Sequence, residues 1–367
     1  MRRLPISGLL LHTILFGSSV TLNAQTPAPN YAGALSEPIR TVGYAESIYP
    51  GGLIPDWDRG YVLSYGIEIY PSAEVATVLM YDQNGTRMRE GHIWPTGAGR
   101  VRLHSAAATH EGAIIAAGWT SMPDSSSPKF ISKTDLAGNT VATIFTGSFV
   151  PQQMCEGEDG TVWTLGKDVP ATEAGGQTDV LRQYSFEKGL LRSYLPLESV
   201  KAAVNSETRW FNAFGSFVRC GKNKVAVYLK FTDEYVEVDT KSFEVKRWKL
   251  DLSTADHNKA TGLGVADDGR VYAGFRTGGC REGDSVLNGL FEIRADSRSS
   301  TAALVAVKGT VSLRLCGSPE RASDPPAPGT FQRLWGADGN TLAVSLAGRR
   351  ASDIVWVKVI TQEVASN

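Results

Sequence analysis

Short stretches in which apolar and polar positions alternate recur along this chain, each interrupted by a turn rich in Asp, Asn and Gly. One recurring element is an apolar stretch, an acidic or polar turn closing on Gly, then an alternating strand. It reads WDRGYVLSYG from Trp57, THEGAIIAAG from Thr109, GEDGTVWTLG from Gly157, GKNKVAVYLK from Gly221, ADDGRVYAGF from Ala266 and GADGNTLAVS from Gly336. Its turn residues, Gly60, Gly112, Gly160, Asn223, Gly269 and Gly339, are spaced by 52, 48, 63, 46 and 70 positions. A second element follows the first five copies: an aromatic or apolar strand, an Asp- or Ser-containing turn, and another strand. Its turns sit near Gly85, Gly138, Gly189, Ser242 and Ser299, at spacings of 53, 51, 53 and 57. Two independent markers therefore share a period near 50 to 55.

Asp-Gly and Asn-Gly turns accept the positive φ of tight hairpins, and the Val, Ile, Tyr and Trp beside them suit strands. Four short antiparallel strands per unit of this length predict an all-β chain, a single six-bladed β-propeller. A pair of β-sandwiches is the alternative, but it leaves the shared period unexplained. The ends fit the same count. Asp353 to Thr361 is expected to be the third strand of the last unit, and Ile39 to Val42 its outermost strand, closing the ring. Sustained helical periodicity is missing; a short helix within 197–208 is the nearest candidate.

EDGTVWTLG with LRQYSFEKG, and ADDGRVYAGF with LFEIRADS, resemble the blades of the six-bladed β-propeller superfamily, including its NHL-repeat and gluconolactonase-like groups. The gluconolactonase-like resemblance implies an alternative function, a metal-dependent hydrolase or lactonase acting at the channel mouth with Glu, Asn and Asp around a divalent cation. Asp56, Asn212 and Glu156 are the candidate oxygens under that alternative; otherwise no cofactor is expected.

The first residues change the picture of where the chain works. Arg2 and Arg3 precede a largely apolar run from Leu4 to Phe16, and small and polar residues lead to Ala24. This is the layout of a secretory signal peptide over 1–24. A flexible segment is expected over 25–37 and the propeller over 38–362, in a periplasmic or secreted protein. The 37 Lys and Arg against 38 Asp and Glu leave a net charge of −1, which argues against nucleic acid as a partner. No stretch after the signal is long and apolar enough to span a membrane. Four cysteines in an exported chain suggest disulfides Cys155–Cys220 and Cys280–Cys316, with buried thiols as the alternative. No C-x2-C spacing marks a metal site.

Long loops over 119–129, 167–179, 197–209, 276–288 and 309–330 are expected to share one face, the candidate binding face. Seven positions before each turn stand Leu53, Ser105, Gln153, Ser216, Gly262 and Gln332, a largely polar ring at the channel. With their neighbours they give the candidate binding residues His104, Gln153, Asn212, Lys259, Gln332 and Arg333. The ligand expected there is a protein, peptide, glycan or small molecule, and the chain is expected to be a monomer. No catalytic motif is present. Asp58, Asp159, Asp268 and Asp338 read as hairpin-turn residues; Trp57, Trp163, Trp210, Trp335 and Trp356 read as packing between blades. Asn84-Gly85-Thr86 fits a glycosylation sequon but also a hairpin turn.

Overall fold

The computed structural model describes residues 31–43, 54–65, 76–168, 179–196, 199, 216–230, 232–250, 258–277, 285–315, 329–349 and 353–361. Within them lie twenty-six β-strands. The described chain opens with β1 (Gly33–Leu35) and β2 (Arg40–Gly43). The first unit is β3 (Ile54–Asp58), β4 (Tyr61–Tyr65), β5 (Ala76–Tyr81) and β6 (Arg87–Ile93). The second is β7 (Arg100–Ala108), β8 (Ile114–Ser121), β9 (Lys129–Thr134) and β10 (Thr140–Gly147). The third is β11 (Phe149–Glu156), β12 (Val162–Asp168), β13 (Asp179–Ser185) and β14 (Gly189–Pro196). The fourth is β15 (Phe217–Gly221), β16 (Lys224–Leu229), β17 (Glu234–Asp239) and β18 (Val245–Leu250). The fifth is β19 (Asn258–Val265), β20 (Val271–Thr277), β21 (Ser285–Arg294) and β22 (Thr301–Lys308), extended by β23 (Ser312–Leu315), which pairs with β21. β24 (Phe331–Asp338), β25 (Thr341–Leu346) and β26 (Asp353–Ile360) complete the series.

Each unit is an antiparallel meander, and the predicted turns close its hairpins. Gly60, Gly112, Gly160, Gly269 and Gly339 all hold positive φ, as does Asn223 at 59°. A central strand of such a unit is buried on both faces, so its two sets of side chains serve different neighbours. On β16, Val225, Val227 and Leu229 pack toward the third unit, while Ala226 and Tyr228 pack toward the fifth. β8 does the same, with Ile114 and Ala116 facing the first unit and Ile115 and Ala117 the third.

The core is accordingly a set of seams. Among the described residues, six apolar clusters each join two successive units. The sixth joins the last unit to the first: Trp335, Ala343, Ile354 and Trp356 pack on Val62, Leu79 and Tyr81. First strands pack in the order β3, β7, β11, β15, β19, β24, and β24 packs on β3. Trp163, Trp335 and Trp356 lie in these seams as expected; the side chain of Trp57 and residue Trp210 lie outside the described residues. The arrangement is of β-propeller type.

The sheets differ from six separate blades. The first three units are independent four-stranded sheets, whereas the fourth to sixth units, β1 and β2 form one fourteen-stranded sheet, and no sheet closes on itself. β1 causes part of this joining. It pairs in parallel with β22 and antiparallel with β26, while β2 pairs antiparallel with β26 from Arg40↔Trp356 to Gly43↔Asp353. Between them the Ser36 hydroxyl accepts the Lys358 N–H at 2.9 Å. Residues 31–43 thus form a strap along the last unit, and Gly33–Leu35 is a strand where a flexible segment was expected. Its short sequence is ordered by partners far away in the chain rather than by local propensity.

Cys155 and Cys220 form the expected disulfide, with Cα atoms 5.6 Å apart, joining the ends of β11 and β15. Cys280 and Cys316 lie outside the described residues, as does the candidate helix apart from Ser199. Among the described residues no helix is long and apolar enough to cross a membrane.

The seam between β19 and β24 is tight because Gly262 carries no side chain: a Cβ there would collide with the Leu334 carbonyl oxygen. Gly262→Ala is therefore expected to destabilise the protein by about 3 kcal/mol through forced separation of two strands. Thermal unfolding checks this; an unchanged midpoint would show that the seam yields freely.

Candidate functional site

The first strands end at their hairpin turns, and the structure gathers a charged network there. On β3, Asp58 is buried and its Oδ2 accepts the Ala108 N–H of the second unit at 3.1 Å. Glu156 ends β11, is 3 % exposed, and its Oε2 accepts the His110 backbone N–H at 2.7 Å. The His110 ring lies between two partners, with Nδ1 2.8 Å from Glu156 Oε2 and Nε2 2.7 Å from Arg59 Nη1. A guanidinium only donates, so Nε2 accepts and Nδ1 carries the hydrogen toward Glu156. Arg59 also donates to the Glu156 carbonyl oxygen, which links the first unit to the third. Asp338 Oδ2 accepts Gln83 Nε2 at 2.6 Å across the seam between last and first units. Burial, and then the neighbouring Asp267, push the Asp338 carboxyl up, with Gln83 and Arg59 pulling it down.

Arg219 on β15 adds a buried cation to this end. It donates to the Val218 carbonyl at 3.0 Å and, past the fifth unit, to that of Trp335 at 3.4 Å. Sequence reading missed Arg59, His110 and Arg219, because their partners stand in other repeats and no local motif marks them. It also read four aspartates alike. Asp159 and Asp268 do serve their own turns, accepting the N–H groups of Thr161 and Arg270, but Asp58 and Asp338 bond across seams. Asp82 caps the Asn84–Thr86 turn through both N–H groups, as the turn reading of that sequon requires.

The residues expected to bind lie along the first strands, His104 and Gln153 midway and Gln332 and Arg333 toward the end away from the turns. His104 lies on β7 and Gln153 on β11, each beside a register shift; Gln332 and Arg333 lie on β24. Arg333 stacks its guanidinium 3.7 Å from the Trp335 ring centroid. In the same ring Ser105 and Ser216 are buried, and the Ser216 hydroxyl accepts the Lys230 N–H at 3.0 Å. Leu53, Asn212 and the side chain of Lys259 lie outside the described residues. Burial pushes the His104 imidazole down to about 4, assisted by the positive charges of Arg102 and Lys129.

The loop between β8 and β9 forms a defined feature of this end. Met122 accepts the Ser125 N–H and donates its own N–H to Ser126, making a tight turn in which Ser125 holds φ at 68°. Met122, Pro123 and Pro128 meet Gly97 and Phe145 around an open recess of about 420 Å³, with Asp124 and Ser126 at its rim. Phe145 is 47 % exposed.

Of the cation ligands implied by the gluconolactonase-like resemblance, only Glu156 has a described side chain. Glu156 spends its Oε2 on His110, as above, and the side chains of Asp56 and Asn212 lie outside the described residues. Among the described residues no three His, Cys, Asp or Glu side chains come together as ligands.

No family model matches the chain, and no curated protein is similar to it at a significant level. Solved structures are similar at the level of fold. A candidate exported protein from Bacteroides fragilis shares 9 % identity at a TM-score of 0.46, over 88 % of this chain and 95 % of that one. The PQQ-bound aldose sugar dehydrogenase of Streptomyces coelicolor shares 14 % at 0.38, over 90 % and 99 %. A candidate gluconolactonase shares 12 % at 0.35, over 89 % and 92 %. Nothing about binding or catalysis follows from likeness of this degree.

His104 supplies a pH test of burial along β7. Its folded pKa lies below the unfolded value near 6.5, so the unfolded chain takes up the proton first as pH falls. Stability is therefore expected to drop between about pH 6.5 and pH 4, by on the order of 2 kcal/mol from this group. His104→Gln removes that part of the drop in urea unfolding if the burial is real; an identical pH profile would contradict it.

Proposed function

We propose that this chain is an exported six-bladed β-propeller that binds a protein or peptide ligand on its long-loop face, without catalysing a reaction. Six seam clusters, and the packing of β24 on β3, support the ring of six units; the strap on β26 supports closure by the N-terminal segment. A signal peptide over 1–24 and the Cys155–Cys220 disulfide support an extracytoplasmic location, where such bonds persist. The register of β21 with β23 places Ser285 opposite Leu315, next to the segments carrying Cys280 and Cys316, and supports pairing of those two cysteines.

The observation that carries the binding face is the contrast between the two ends. At the turn end Asp58, Glu156 and Asp338 spend hydrogen bonds on neighbouring units, which is the chemistry of a fastening. At the other end a tight turn holds Met122 and Pro123 beside Pro128 and the exposed Phe145. Preorganised apolar surface of this kind favours association, because little entropy is lost in ordering it. Proline and methionine beside an exposed aromatic suit an apolar side chain carried by an extended segment.

Peptides selected from a display library on the mature chain provide the test. Phe145→Ser changes an already exposed ring and leaves the seams intact. Selected binders are expected to lose at least about tenfold in affinity to this variant, as for a central anchor of an interface. Binders indifferent both to Phe145→Ser and to removal of the 122–128 turn would refute the proposed face.

A further inference from the structure

We infer that Asn84 is a site of spontaneous deamidation, and that the isoaspartate formed there unclasps the first unit from the last unit and its outer strand. This concerns the closing seam and stands apart from the ligand face proposed above.

Two asparagines of the chain are followed by glycine, Asn84 and Asn288. In that order the Gly amide nitrogen, with no side chain beside it to block approach, attacks the preceding side-chain carbonyl carbon. At Asn84 the Gly85 nitrogen loses its proton to solvent, a bond forms from it to Asn84 Cγ, and the Cγ–Nδ2 bond breaks as ammonia leaves. Water then opens the cyclic imide. Opening at the former side-chain carbonyl gives aspartate. Opening at the main-chain carbonyl gives isoaspartate, whose backbone runs through Cβ and is one methylene longer. Water is the sole co-reactant, and nothing is oxidised or reduced.

The structure sets the two asparagines apart. Asn84 is exposed at the tip of the β5–β6 hairpin. The Gly85 N–H donates to the Asp82 carbonyl at 3.0 Å, and Asn84 Nδ2 donates to Asp82 Oδ2 at 3.2 Å, so attack waits for the tip to open. Exposed hairpin tips open at far lower free energy than strands paired on both sides. Asn288 has partners on both sides of its strand: it stands opposite Ser312 of β23, and Gly289 stands opposite Phe275 of β20. Freeing that nitrogen requires β21 to part from its neighbours.

The turn that reacts is also one that fastens the closing seam. Gln83 donates to Asp338 of the last unit, as above. Gly85, left-handed at a φ of 77°, fits against β2, where a Cβ would stand 2.5 Å from Val42 Cγ1. Arg40 of β2 attracts the Asp82 carboxylate. Residues on both sides of Asn84 therefore hold the last unit and its outer strand. An extra methylene between Gln83 and Gly85 alters the path of the chain, so both contacts cannot be kept together. The new carboxylate also replaces an amide that donated to Asp82, and two like charges meet where a hydrogen bond stood.

The test incubates the chain starting at residue 25 in mildly alkaline buffer at body temperature. Its peptides are followed by mass spectrometry with electron-transfer fragmentation, which tells isoaspartate from aspartate. Conversion at Asn84 is expected to run at least about tenfold faster than at Asn288, with isoaspartate among the products. The converted fraction gains a negative charge, separates by ion exchange, and is expected to unfold at a lower temperature than the unconverted fraction. Asn84→Gln, whose longer side chain does not close the same ring, is expected to keep its unfolding midpoint through the incubation. No conversion at Asn84, or equal conversion at Asn288, would overturn the site. Equal midpoints of the two fractions, or the same fall in Asn84→Gln, would overturn the unclasping. Conversion and the midpoints of the two fractions are read on the natural chain, so they decide the matter even if the variant fails to fold.

Discussion

Burial between neighbouring units is the constraint on which the rest of this structure depends. A four-stranded meander has two faces and no interior, so it cannot hide its own apolar side chains. On β16 five successive residues are buried, three against one neighbour and two against the other. Each such side chain contributes about 1.5 to 3 kcal/mol when fully buried. None of that is available to a unit alone, and conformational entropy would leave an isolated unit unfolded.

This makes the last seam the critical one. Five seams join units adjacent in sequence, but the sixth must bring Trp335 and Trp356 against Val62 and Leu79 across nearly the whole chain. The strap, Asp338 with Gln83, and the Arg59 turn all act at or near that seam. The disulfide is secondary by comparison. With its cysteines 65 residues apart, chain-entropy arguments give it about 4 kcal/mol, and it joins units that already share a seam. It raises stability without deciding the architecture.

The fold was legible in the sequence because turns and alternation are local. Gly60, Gly112, Gly160, Gly269 and Gly339 announce themselves by the positive φ that hairpins need. The N-terminal strand beside β26 was legible to within one residue, Ile39–Val42 against the observed Arg40–Gly43, from arithmetic on strands. Cys155 and Cys220 were legible as a pair because both end first strands of neighbouring units. What escaped is non-local. β1 has three residues with weak strand character and is ordered by β22 and β26. Asp58 and Asp159 occupy similar turn motifs, yet one bonds to the next unit and the other to its own turn. The Arg59, His110 and Glu156 triplet draws one residue from each of three repeats, so no spacing reveals it. The candidate binding residues rest on register alone, and register does not say which side chains meet.

If the seams hold the molecule together and the strap completes the last of them, removing the strap should damage the whole. Calorimetry of a chain starting at residue 44, beside one starting at residue 25, measures this most directly. The account predicts a markedly lower and broader transition, because β26 loses its outer partner and the last seam loses Val42. An unchanged, equally sharp transition would contradict it, and would mean that the units are stable without being fastened end to end.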